Sequence, residues 1–123
     1  MIDYLNLSDQ VVLFGPAKRD VVKRFMQMSD CLVLSSYVET FGVVLIEAMS
    51  CGLPVLSSKC GGPESIITKD TGLLFDNDEK ELLNAMKHVY KTQYSSEIIR
   101  KHVIANYSSS IVAKQILKIL QSV

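Results

Sequence analysis

The chain has 123 residues, enough for one domain with a hydrophobic core, and 48% of them are apolar, as is typical of a globular protein. Lys and Arg together number 13, and Asp and Glu also number 13, so the composition offers no electrostatic case for nucleic-acid binding. The sequence has no run of about 18 apolar residues, so we expect no membrane-spanning segment.

Short apolar runs alternate with segments of helical periodicity along the chain. The apolar runs predict strands at residues 11–14, 31–34, 54–57 and 72–75. The periodic segments predict helices at about 18–28, 43–50, 78–90, 95–105 and from 109 onward, with a short helix at 63–67. Because apolar strands that alternate with helices form parallel sheets, we expect an α/β fold. It should be a Rossmann-like parallel sheet of about four strands with helices on both faces.

Each long helix is expected to bury one apolar face. These faces are Val21, Val22, Phe25 and Met28 in segment 18–28, Leu82, Leu83, Met86 and Val89 in segment 78–90, and Ile111, Val112, Ile116, Ile119 and Leu120 in the last helix. Expected N-caps are Asp76 or Asp78, Ser95 or Ser96, and Ser108 or Ser109, and the expected left-handed C-cap is Gly52.

The helix predicted at residues 43–50 carries a single carboxylate, Glu47, in an otherwise apolar run. A helix that is apolar all round is a buried helix, and a buried carboxylate without a partner costs several kcal/mol. No Arg or Lys lies within one turn of Glu47, so its partner should lie outside the helix. A pair of ligand hydroxyls is one candidate, and a distant Lys or Arg is another.

The start of this helix has the features of an anion site. Gly42 precedes it, and the first N–H groups of a helix lack intrahelical acceptors and carry the positive end of its dipole. Glu39 and Glu47 flank this site, and carboxylates repel phosphate, so the three features should bind different parts of one molecule. A diphosphate with a hydroxyl-bearing ring at each end, that is a sugar nucleotide, would satisfy all three. Alternatively, Glu39 is an ordinary loop carboxylate.

The cysteines and histidines give no sign of a metal site or a nucleophile. Cys31, Cys51 and Cys60 are widely spaced, which favours reduced thiols in a cytoplasmic protein. His88 and His102 are far apart and lack ligand-like spacing, and no histidine adjoins Cys60 to activate it.

From about residue 11 to 86 the chain resembles the C-terminal, donor-binding domain of GT-B glycosyltransferases of family 4. The segments that carry the resemblance are VVLFG at 11–15, SDCLVLSS at 29–36, ETFGVVLIEAM at 39–49, GLPVL at 52–56, GGPE at 61–64 and TGLLF at 71–75. Seven residues separate Glu39 from Glu47, which is the family's signature spacing.

The resemblance implies a role for each matching position. Glu39 would be the catalytic residue beside the transferred sugar, and Glu47 would accept hydrogen bonds from the ribose. The remaining donor-binding positions would be Phe41, Gly42, Val43 and Val44 at the diphosphate, Gly15, Pro16 and Ala17 along the base, and Gly61 and Gly62 in a loop close to the donor. Glu64 would be either a neighbour of the donor or a carboxylate favoured by a helix N-terminus.

The resemblance also implies a reaction: transfer of a sugar from a nucleoside diphosphate sugar to an acceptor, with retention at the anomeric carbon and with no metal or cofactor. The alternatives are a non-catalytic fragment that binds the nucleotide sugar and a domain similar to a sugar-nucleotide epimerase. We expect a cytoplasmic location, with peripheral membrane association in a full-length form.

Compared with the family, residues 1–123 are expected to form a single, partial donor-binding domain. The family's donor domain begins with two further strand–helix units, the first of which carries an Arg and a Lys that contact the diphosphate. A glycan or lipid acceptor would bind through an N-terminal domain, without which the fragment should be inactive. Lys18 and Arg19 are interpreted as ordinary residues of a helix start. We expect strand 11–14 to pair directly with strand 31–34, in preference to a homodimer through the open sheet edge, and the edge to promote self-association in either case.

Overall fold

The computed structural model describes residues 1–122. In that range the chain forms five α-helices, three β-strands and one short 3₁₀ turn. In chain order they are α1 (Arg19–Met28), β1 (Leu32–Leu34), α2 (Val43–Ser50), β2 (Val55–Ser58), the 3₁₀ turn (Gly62–Ser65), β3 (Gly72–Phe75), α3 (Glu79–Lys91), α4 (Ser96–Tyr107) and α5 (Ser109–Gln121).

The three strands form one parallel sheet in the order β1-β2-β3. Val55 on β2 lies opposite Leu32 on β1 and Gly72 on β3. Because side chains alternate across a strand, Val55 and its neighbour Leu56 point to opposite faces of the sheet. Both are buried, so the sheet is covered on both faces, and the predicted α/β layering is confirmed.

The hydrophobic core has one part on each face of β2. The larger part lies against α2 and α4, and its most deeply buried residues include Leu45, Ala48, Met49, Val55, Ile66 and Ile99. The smaller part lies under α3 and consists of Leu56, Phe75, Ala85 and Val89. The strands are thereby packed between helices on both faces, and the loops that follow them lie at the carboxyl edge of the sheet.

The strand predicted at residues 11–14 is wrong, and so is its direct pairing with β1. This segment is outside any strand, and Val12 and Leu13 are 81% and 83% exposed. The sheet in the described residues therefore has three strands rather than about four. An apolar run can form a strand only where another strand accepts its hydrogen bonds, and local sequence does not supply that partner.

Helix α5 forms where its periodicity predicts, but the inward face expected for it is wrong. None of its described residues is buried, and Val112, Ile116, Ile119 and Leu120 are exposed. The helix packs against α4 at one side only, so most of its apolar stripe faces outward. No helix within residues 1–122 is long and apolar enough to cross a membrane.

Two other helices bury only part of the face predicted for them, which includes Val22 and Val89. In α1, Met26 enters the core while Phe25 and Met28 are exposed. In α3, Leu83 and Met86 remain about half exposed. In both helices, the set of side chains that contact neighbouring elements is narrower than the apolar face predicted from the sequence.

Two of the three predicted N-caps and the predicted C-cap are confirmed. Ser108 precedes α5 as predicted, but its side chain makes no capping hydrogen bond. Asp78 accepts hydrogen bonds from the backbone N–H groups of Lys80 and Glu81 at 2.9 and 3.2 Å, and Ser95 accepts one from Ile98 at 3.4 Å. Gly52 follows α2 with a φ of +80°, the left-handed conformation expected there.

Candidate functional site

Two loops meet at the carboxyl edge of the sheet and form the rim of the candidate site. One follows β1 and contains Glu39, and the other follows β2 and contains Cys60, Gly61 and Gly62. The Glu39 N–H donates to the Cys60 carbonyl at 3.0 Å, and the Gly62 N–H donates to the Glu39 carbonyl at 2.7 Å. This pair of bonds makes the two loops one structural unit, so the predicted residues of both loops come together.

The close approach of the loops depends on the absence of a side chain at Gly62. A Cβ atom there would lie 2.4 Å from both the Cα atom and the carbonyl oxygen of Phe41. Real Cβ atoms do not approach backbone so closely, so one loop would have to move. The sequence therefore permits a contact between backbones that any other residue would prevent.

The Glu39 carboxylate lies at the start of α2. Its Oε1 atom accepts hydrogen bonds from the N–H groups of Phe41 at 3.3 Å and Gly42 at 3.2 Å. Gly42 is the N-cap of α2, with a φ of +94° that favours glycine. The carboxylate thus occupies part of the predicted anion site, where the helix dipole and the free N–H groups favour negative charge.

Glu64 holds the second loop in the same manner. Its carboxylate accepts from the Gly61 N–H at 3.0 and 3.2 Å and from the Cys60 N–H at 3.3 Å. Of its two predicted roles, the structure shows the carboxylate at a helix N-terminus, here that of the 3₁₀ turn.

Glu47 faces a groove between α1 and α2, with its side chain 42% exposed. The burial expected for it is therefore wrong. Its partner does lie outside the helix: Arg19 Nη2 is 3.2 Å from Glu47 Oε1. Because the Arg19 side chain is 95% exposed, this ion pair contributes at most about 1 kcal/mol to stability and can be exchanged for other partners.

The groove has a volume of about 850 Å³ and adjoins the segment predicted to lie along the base. Ala17, Arg19 and Glu47 all line it. Gly15 and Pro16 are exposed just before Ala17 in the chain. Of the two candidate partners of Glu47, the distant Lys or Arg is the one present, and it is Arg19. The interpretation of Arg19 as an ordinary residue of a helix start missed this role, because the contact joins positions 28 apart and depends on how α1 packs on α2.

Helix α4 contacts the rim from outside the sheet. His102 Nε2 lies 3.1 Å from the Ile66 carbonyl, and the Tyr107 hydroxyl donates to the Ser65 carbonyl at 3.3 Å. The Tyr107 ring also packs edge-to-face on the Phe41 ring, with 6.2 Å between centroids. Sequence reasoning missed both residues, since helical periodicity carries no information about which loop a helix will meet.

No cluster of three or more His, Cys, Asp or Glu side chains that could hold a metal ion occurs in residues 1–122. The three cysteines are free thiols. Burial, together with the nearby charge of Asp30, raises the pKa of the Cys31 thiol to about 11, so this residue is a neutral packing group.

Comparison with known proteins decides the family. The model of the family "Glycosyl transferases group 1" matches residues 1–111. The chain belongs to this family. It is similar to the N-acetyl-alpha-D-glucosaminyl L-malate synthase of Bacillus anthracis, with 43% identity over 75 residues, which are 60% of this chain and 19% of that protein. It is also similar to the phosphatidylinositol N-acetylglucosaminyltransferase gpi3 subunit of Schizosaccharomyces pombe, with 30% identity over 95% of this chain and 26% of that protein.

Solved structures agree with this assignment. The sucrose-phosphate synthase of Thermosynechococcus elongatus superimposes with a TM-score of 0.84 and 29% identity, over 98% of this chain and 32% of that one. Anabaena HepE in complex with UDP superimposes with a TM-score of 0.81 and 27% identity, over 99% of this chain and 35% of that one. The fold is thus that of the GT-B glycosyltransferases, and the chain spans about a fifth to a third of the length of these proteins.

Proposed function

We propose that residues 1–123 form a donor-binding domain of a glycosyltransferase. The full enzyme would transfer a sugar from a nucleoside diphosphate sugar to a glycan or lipid acceptor, with retention at the anomeric carbon and without a metal ion. The observation that carries this proposal is the joined rim, which brings Glu39, the start of α2 and the Gly61–Gly62 loop to one edge of the sheet. Support for a nucleotide comes from HepE, which was crystallised with UDP.

The proposed binding sequence starts with an exchange at α2. The diphosphate would take the N–H groups of Phe41 and Gly42 from the Glu39 carboxylate, and would extend to the N–H groups of Val43 and Val44. Glu39, which is bonded to these donors in the free protein, would turn to the hydroxyls of the transferred sugar. Donor binding and the placement of the catalytic carboxylate would then be one event, in which the helix dipole stabilises the leaving diphosphate.

The nucleoside would lie in the groove beside Glu47. Gly15, Pro16 and Ala17 would lie along the base, and the Glu47 carboxylate would accept hydrogen bonds from the ribose. Arg19 bonds to one of the two carboxylate oxygens, Oε1, so Oε2 remains able to accept from a ribose hydroxyl. Gly61 and Gly62 would border the sugar on the far side of the rim.

For the isolated chain, we propose nucleotide binding without turnover. The chain spans only 19% to 35% of the related proteins named above, and the acceptor would be bound by another part of a longer enzyme. The three free cysteines are consistent with a cytoplasmic site of action. Association of two copies through the open edge of β1 and segment 11–14 is part of the same proposal, and sedimentation at high concentration tests it.

The experiment is a titration of the isotope-labelled chain with UDP, GDP and ADP, followed by NMR. We expect dissociation constants of roughly 1 mM, about −4 kcal/mol, with the amides from Gly42 to Glu47 shifting first. Glu47→Gln should weaken binding, whereas Glu97→Gln, which removes a carboxylate from an exposed ion pair with Lys101, should not. Shifts confined to α3, α4 and α5 would show that the assigned site is wrong.

A further inference from the structure

Tyr107, the last residue of α4, contacts both loops of the rim. Its ring lies edge-to-face against Phe41 in the first loop, with an interplanar angle of 73°. Its hydroxyl donates to the Ser65 carbonyl at the end of the 3₁₀ turn that continues the second loop. The Tyr107 side chain therefore contacts the same two loops that the backbone hydrogen bonds of Glu39 join to each other.

The surroundings of Tyr107 make it suited to hold these segments in place. Burial raises the pKa of its hydroxyl, which therefore remains a protonated donor across the neutral range. His102, five residues earlier on α4, lies edge-to-face against the Tyr107 ring at 6.1 Å between centroids. The same histidine contacts the carbonyl of Ile66, which follows Ser65, so the last residue of the 3₁₀ turn and the residue after it are both contacted by α4.

We propose that Tyr107 is a positioning residue for the nucleotide-sugar site: its ring fixes Phe41 and its hydroxyl fixes the 3₁₀ turn. The inference rests on the proposed function, because Phe41 and Gly42 supply the N–H groups assigned to the diphosphate. The Phe41 side chain is about half exposed, so the surrounding core does not hold it alone. The Tyr107 ring restricts its motion and thereby restricts the backbone that carries the N–H group.

Substitution of Tyr107 tests this role through nucleotide affinity. Tyr107→Leu removes the edge-to-face contact and should weaken UDP binding by about two- to tenfold, the range that such an aromatic pair can account for. Tyr107→Phe keeps the ring and should weaken it by less. Tyr90→Leu is the matched control, since Tyr90 is also a helical tyrosine but is 92% exposed on α3, and it should bind UDP as the wild type does.

Two further measurements separate positioning from a general loss of structure. If the Tyr107 ring acts through Phe41, then in a Phe41→Leu background Tyr107→Leu should weaken UDP binding by no more than Tyr107→Phe does in the wild type, which is the part owed to the hydroxyl. In the wild-type chain, which needs no variant to fold, the ring signals of Tyr107 should move during the UDP titration together with the amide of Gly42. Effects that add in the double variant, or Tyr107 signals that stay fixed while Gly42 shifts, would overturn the inference.

The wild-type titration and Glu47→Gln test the proposed function independently of Tyr107. If UDP shifts the amides from Gly42 to Glu47 and Glu47→Gln weakens binding, the proposed function holds whatever Tyr107 does. Unchanged affinity in folded Tyr107→Leu would then remove only the positioning role. If the wild-type chain shows no response to UDP, GDP or ADP, the proposed function and this inference both fail.

Discussion

The substitution Gly62→Ala tests the contact on which the rim depends. The added Cβ atom would lie 2.4 Å from the Phe41 Cα atom, whereas carbon atoms in contact prefer about 3.5–4.0 Å. The two loops would therefore have to separate by about 1 Å. No left-handed φ is required at Gly62, so the substitution tests space rather than backbone conformation.

Two effects of Gly62→Ala should lower the free energy of unfolding. Forcing extra atoms into a packed contact costs about 1–3 kcal/mol. If the loops separate, the bond from the Gly62 N–H to the Glu39 carbonyl is strained or lost, which adds about 1 kcal/mol. We therefore expect Gly62→Ala to lower the free energy of unfolding by about 2–4 kcal/mol, which is a large share of the roughly 5–15 kcal/mol typical of a domain.

Urea unfolding followed by circular dichroism measures this change as a lower midpoint with an unchanged m-value. Asn77→Ala, on an exposed loop at the same edge of the sheet, is the control and should leave the free energy of unfolding within about 0.5 kcal/mol of the wild type. UDP affinity should also fall in Gly62→Ala, because the displaced backbone carries the Phe41 N–H group. Wild-type stability together with wild-type UDP binding would mean that the two loops do not approach as described.

Three further predictions concern single side chains. Glu39→Gln should leave UDP binding intact or tighten it up to about fivefold, because it removes a charge that competes for the N–H groups. Turnover of a full-length enzyme should collapse, and weaker UDP binding at unchanged turnover would contradict the catalytic role of Glu39. Arg19→Gln should cost less than about 1 kcal/mol of stability in thermal unfolding, and a larger loss would show that its exposed pair with Glu47 matters more than its geometry suggests. Because the pKa of Cys31 is raised to about 11 from 9.0, this thiol should be alkylated at pH 8 about 100-fold more slowly in the folded than in the urea-unfolded chain, and equal alkylation rates would contradict its burial. Since the unfolded thiol ionises first, the contribution of Cys31 to the free energy of unfolding should be lost as pH rises from about 9 to 11.

The elements that the sequence predicted correctly are those whose signals are local. The runs at 31–34, 54–57 and 72–75 became β1, β2 and β3 because each is flanked by a turn and packed under a helix. Asp78 and Ser95 were predictable as caps because a cap bonds to N–H groups only two or three residues further along the chain. The Gly52 turn follows from the same local rule.

The predictions that proved wrong concern strand pairing and burial, which depend on the neighbours of a segment as well as on its own sequence. Segment 11–14 has the apolar composition of a strand, but a strand also needs a neighbour, and here its side chains are exposed. α5 has the periodicity of an amphipathic helix, but whether its stripe is buried depends on the surface presented to it. Glu47 was expected to be buried because its helix is apolar all round, yet Val43 in the same helix is also exposed, since α2 contacts the core on one side.

In the candidate site, too, the local features were predictable from the sequence and the long-range contacts were not. The rim residues Glu39 and Gly42 were predictable because a carboxylate, a glycine and a helix start follow one another within a few positions. The contacts that complete the site, from Arg19 to Glu47 and from Tyr107 to Ser65, join positions 28 and 42 apart. They depend on the angles at which α1 and α4 pack, which no short segment of the sequence encodes.

The carboxylates at the site explain why weak nucleotide binding is the physically consistent expectation. Glu39 is bonded to backbone N–H groups, Glu47 to Arg19, and Glu64 to the Gly61 loop. A diphosphate that takes the N–H groups from Glu39 would exchange bonds that already exist, and only the difference between the old and new partners would contribute to affinity. At Glu47 no exchange is needed, because Arg19 bonds to Oε1 and leaves Oε2 to accept from a ribose hydroxyl, whereas at Glu39 a carboxylate would have to leave a helix N-terminus that favours it. A diphosphate carries more negative charge than a carboxylate, so under the proposed exchange the same dipole that holds Glu39 in the free protein would favour the donor.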